Sequence, residues 1–90
     1  MHEMSVALEV CRLAEEQVGA EALPRVTGMG LEVGNRSGVV ADNLAFCLDT
    51  LLTHPPFRAA RTVIRRTDDS ALRLEWLELD DPELENANTP

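Results

Sequence analysis

The sequence predicts an α+β domain, with two helices packed on one face of a small three-stranded antiparallel or mixed sheet in the order α-β-α-β-β. Three observations carry that prediction. Apolar residues recur at helical spacing in two segments, they follow strand-like patterns in three others, and a length of 90 residues leaves room for one core. A chain of this size buries roughly 64% of its extended surface on folding, enough for one modest core. No internal repeat is visible.

The first helix is marked by Val6, Ala7, Val10, Cys11, Leu13, Ala14 and Val18 at spacings of three, four and seven, with Glu9, Arg12, Glu15 and Glu16 opposite. Ser5 is the candidate N-cap, although Leu8 leaves the capping box incomplete. Gly19 ends the helix and Pro24 closes the connection. From Arg25 the period switches to two. Met29, Leu31 and Val33 alternate with Gly28, Gly30 and Glu32, the signature of a half-buried strand.

Gly34-Asn35-Arg36-Ser37-Gly38 reads as a turn, and Asp42 or Asn43 can cap a second helix built on Leu44, Leu48, Leu51 and Leu52. Pro55 and Pro56 end it, since neither can donate to the helix ladder. Residues 62–67 and 72–79 are strand-like. Only Asp68-Asp69-Ser70-Ala71 separates them, so an antiparallel hairpin is expected. Trp76-Leu77 breaks the leucine alternation and implies a bulge or an edge. The domain therefore runs over residues 1–80, with an acidic flexible tail over 81–90.

Composition narrows the function. Hydrophobic residues make up 44% and charged residues 27%, values that exclude a wholly disordered or collagen-like chain. The net charge is −8 and every base is Arg, a field that argues against nucleic acid or anionic lipid as a partner. No apolar run is long enough for a membrane span and no signal-peptide pattern opens the chain, so a cytoplasmic protein is expected. Arg58, Arg61, Arg65, Arg66 and Arg73 cluster without interleaved aromatics and read as a solvated strand face.

No enzyme constellation emerges, and the chain is expected not to be an enzyme. Cys11 and Cys47 lie on the apolar sides of the two helices, with no C-x-x-C to hold structural zinc, and read as free buried thiols. His54 follows Cys47 by seven residues, but no third group orients the pair, and a helix-end histidine that meets the last carbonyls explains it. The Gly34 turn lacks the Gly-Lys-Ser/Thr ending of a phosphate loop. Met1-His2-Glu3 is different. A bulky second residue leaves Met1 in place, so a free amine, a deprotonated amide nitrogen and the imidazole Nδ1 can close fused chelate rings around one metal. Such all-nitrogen, square-planar sets suit Ni(II) or Cu(II) rather than Mg(II) or tetrahedral Zn(II).

The start Met1-His2-Glu3-Met4-Ser5 resembles that of the HypA/HybF family of nickel-insertion proteins for [NiFe] hydrogenase maturation. The likeness continues through Leu31-Glu32-Val33-Gly34, Ser37-Gly38-Val39-Val40, Leu44-Ala45-Phe46 and Leu48, and resumes in residues 72–79. It implies a nickel-binding α/β domain that holds Ni(II) through His2 and N-terminal main-chain nitrogens, those of Met1 and Glu3. Implied partners are the GTPase HypB and a hydrogenase large subunit; a homodimer is a further possibility. Two departures stand out. Family members carry a zinc ribbon with two Cys pairs between the last two strands, and here Asp68-Asp69-Ser70-Ala71 occupies that place, so no zinc is expected. The family turn commonly has an acid where Asn35 stands. The alternative reading is a metal-free adaptor that keeps the fold and scaffolds a complex.

Overall fold

The apolar stripe of the first segment forms helix α1, Glu3–Val18, in a computed structural model that describes residues 2–80. Val6, Ala7, Val10 and Ala14 are buried, and Cys11 and Val18 pack partly against the same core. Gly19 adopts φ +86 and donates its N–H to the Glu15 carbonyl at 2.7 Å, which stops the helix where a left-handed residue is needed. A 3₁₀ turn over Ala20–Arg25, containing Pro24, leads into strand β1, Val26–Gly34. Helix α2, Ala41–Leu52, buries Leu44, Leu48 and Leu52, and strands β2, Arg61–Thr67, and β3, Leu72–Leu79, complete the fold. Each fully buried leucine contributes roughly 1.5–3 kcal/mol relative to exposure. The proposed tail at 81–90 lies outside the described residues.

Both helix starts differ from the expected caps. α1 begins at Glu3, two residues before Ser5, with His2 as N-cap and the Val6 N–H bonded to the His2 carbonyl at 3.2 Å. α2 begins at Ala41, with Val40 as N-cap and no side-chain cap from Asp42 or Asn43. The reason is tertiary: Glu3 Oε2 accepts from the Val40 N–H at 3.2 Å, so a carboxylate from one helix meets the start of the other.

The sheet order is β2-β1-β3, with β1 parallel to β2 and antiparallel to β3. The expected hairpin is therefore wrong. β2 and β3 flank β1 and do not pair with each other. α2 supplies the crossover that parallel strands require, and the connection after β2 steps over the end of β1. There the Gly34 N–H donates to the Ala71 carbonyl at 2.6 Å, Asn35 N–H to Thr67 at 2.7 Å and Arg36 N–H to Asp69 at 2.9 Å. A Cβ at Gly34 would strike the Asp69 carbonyl, so this crossing needs glycine.

β1 is central because both of its faces are covered. Met29, Leu31 and Val33 face the helices. On the other face Trp76 lies over Gly28 and Gly30, and Arg65 and Arg73 approach Glu32. β3 is an edge strand and also bulged. Leu31 pairs with Leu74 and Gly30 with Trp76, which leaves Glu75 as the extra residue.

Candidate metal centre

The candidate site expected from the sequence lies at the end of the molecule where both helices start. His2 is exposed and extended, with φ −82 and ψ 116, immediately ahead of α1. Glu3 is half-buried and is the first helical residue. Its main-chain N–H belongs to the first four of a helix, which have no intrahelical acceptor, while its carboxylate is committed to Val40. Met1, the third residue of the expected ligand set, lies outside the described residues.

The remaining candidates are dispersed. Cys11 and Cys47 are free thiols, one on each helix, and burial pushes the Cys11 thiol up from its ordinary range. His54 is exposed, and its Nδ1–H donates to the Thr50 carbonyl at 2.7 Å, as expected of a histidine at a helix end. Among the described residues, no three His, Cys, Asp or Glu side chains converge into a metal cluster.

Asn35 is tied down where the resemblance implied an acid. Its Oδ1 accepts from Arg66 Nε at 3.0 Å and Nη2 at 2.7 Å, and its Nδ2 donates to Asp68 Oδ1 at 3.0 Å. An amide can both accept and donate here, which a carboxylate cannot.

Sequence reasoning missed two contacts. The first is Glu3 to Val40, across 37 residues. The second is a charged network on the sheet face away from the helices. Arg65 Nη2 lies 2.9 Å from Glu32 and 2.8 Å from Glu75, and Arg73 Nε lies 3.3 Å from Glu32. The Arg65 guanidinium holds the Glu75 carboxyl below its ordinary value. A glutamate at the centre of an apolar strand, with arginines on two other strands, was the available signal.

A two-helix, three-stranded α+β domain that presents a histidine just ahead of its first helix defines the class of this molecule. The chain belongs to the HypA family: a family model described as hydrogenase/urease nickel incorporation, metallochaperone, matches residues 1–72. It is 37% identical over 68 residues to the hydrogenase maturation factor HypA of Chlorobaculum parvum, covering 76% of this chain and 60% of that one. It is 38% identical over 66 residues to the protein of the same name from Geobacter metallireducens, covering 73% and 57%. The chain thus spans about 60% of the length of the curated relatives it matches. No solved structure matches it significantly. No helix among the described residues is long and apolar enough to cross a membrane.

Proposed function

We propose that this chain is a nickel carrier that delivers Ni(II) during maturation of a nickel enzyme, with [NiFe] hydrogenase as the first candidate. The observation that carries this reading is the placement of His2. It is exposed and extended, it directly precedes α1, and it belongs to a chain of the HypA family. Nickel is the cargo. His2 Nδ1 supplies the side-chain ligand, and the Met1 amine and Glu3 main-chain nitrogen complete a nitrogen-rich set of the kind that favours square-planar Ni(II). Because these ligands must lose protons to bind, affinity falls as pH falls.

The GTPase HypB and a hydrogenase large subunit are the partners this reading names, and the acidic surface is the docking face. No resident zinc is included, because the connection at 68–71 contains neither Cys nor His. The test is calorimetric titration of Ni(II) into untagged protein and into His2→Ala. The variant should lose the tight site while its circular dichroism and melting stay unchanged, because an exposed residue ahead of the helix buries little. Equal affinity in both proteins would overturn the proposal and leave the metal-free adaptor.

A further inference from the structure

The two edges of the sheet are chemically unlike. β2 carries Arg61, Arg65 and Arg66 with no acid, so two copies of that edge would repel. β3 reads Leu72-Arg73-Leu74-Glu75-Trp76-Leu77-Glu78-Leu79, whose four leucines are placed symmetrically about the midpoint between Glu75 and Trp76, with Arg73 and Glu78 as an oppositely charged related pair. We propose that the exposed edge of β3 pairs antiparallel with β3 of a second copy of this chain, forming a two-fold dimer with one continuous six-stranded sheet.

The register follows from the strand. About that midpoint, Leu72 faces the second copy's Leu79, Leu74 faces its Leu77, and Arg73 faces its Glu78. Each pair occurs twice, as an isologous interface requires. The bulge at Glu75 is what permits this. In an uninterrupted strand, residues related by this axis would fall on opposite faces of the sheet. Here the pairing with β1 places Leu72, Leu74, Leu77 and Leu79 on the helix-facing side, and Arg73, Trp76 and Glu78 on the other. Like faces like across the axis. Arg73 and Glu78 are exposed, and Leu72 and Trp76 remain 36% and 43% exposed. A groove of about 530 Å³ between α1 and β3, lined by Leu13, Val18, Leu74 and Leu77 among others, runs along the same edge and offers apolar surface to cover. Assembly stops at two copies, because the outer edges of the six-stranded sheet are then both the arginine-bearing β2.

The test is sedimentation equilibrium of the untagged, metal-free chain up to its solubility limit, independent of any nickel result. A dimer is expected, and the single tryptophan, Trp76, should change emission as it forms. Arg73→Glu and Glu78→Arg each turn two attractive pairs repulsive and should weaken the dimer by roughly tenfold or more. An equimolar mixture of the two variants should restore it. Residues 73 and 78 stand five positions apart on one strand, so such rescue must come from contacts between chains. Arg73 also approaches Glu32 at 3.3 Å, and Glu78→Arg, clear of that contact, gives the same readout if Arg73→Glu folds poorly. A monomer at every concentration, a dimer indifferent to Glu78→Arg, or folded variants that fail to rescue each other would each overturn the proposal.

Discussion

Glu3 shows how one residue can join two elements and leave its backbone free. Its carboxylate accepts from Val40 at the start of α2, while its amide stands at the unpaired end of α1. The sequence made His2 and Glu3 legible as a metal-binding candidate because amine, amide and imidazole spacing is a local property. It could not show where the Glu3 side chain goes, since the partner lies 37 residues on. The glycines divide in the same way. In sequence Gly30 reads as one position of the strand alternation and Gly34 as the start of a turn, and only the structure shows that Gly34 faces backbone and Gly30 an indole. Gly34→Ala should destabilise the fold by about 1–3 kcal/mol, because a main-chain crossing must shift. Gly30→Ala should lose less, because the half-exposed Trp76 side chain can swing away, and it should alter tryptophan emission. Chemical denaturation of both variants checks this ordering; a smaller loss at Gly34 would contradict it.

At the scale of elements, the helices and the limits of β3 follow from periodicity, because each amphipathic pattern is set within one segment. Strand order does not. Residues 68–71 are short enough for a hairpin, yet β1 has apolar residues on one face and, on the other, glycines that admit Trp76 and a glutamate that needs arginines. Only a central position supplies neighbours for both faces. The Arg65 network then holds all three strands together. Its partner Glu32 is 10% exposed at the side chain, whereas the partners of Arg12 on α1 are 53% and 60% exposed. Arg65→Ala should therefore lower the melting temperature more than Arg12→Ala, since exposed helical pairs contribute little. Acid should act through the same network. The folded pKa of Glu75 is held below its ordinary 4.5, so its contribution is present above that value and is lost as pH falls through the folded pKa. Arg65→Ala should flatten that part of the acid limb in melting curves taken against pH, and an unchanged limb would contradict the assignment.

For the whole molecule, the fold sets His2 and Glu3 at the end where α1 and α2 begin, and leaves an edge strand, β3, open along one side. The charge of −8 without lysine fits a carrier of cations better than a binder of nucleic acid. The family was legible in the sequence, because the Met1-His2-Glu3 start resembles the family's and the likeness continues through Leu31-Glu32-Val33-Gly34 and the Leu44 helix. What remained hidden was how β2 and β3 are joined: they enclose β1, and residues 68–71 bridge them. The proposal that the N-terminus itself holds nickel is checked by calorimetric nickel affinity of the authentic chain and of a chain extended by Gly-Ser before Met1, each at neutral and mildly acidic pH. Extension converts the Met1 amine to an amide and should weaken binding about as much as His2→Ala, and the authentic protein should bind less tightly at the lower pH. Identical affinities for the extended and authentic chains would rule out the N-terminal amine as a nickel ligand.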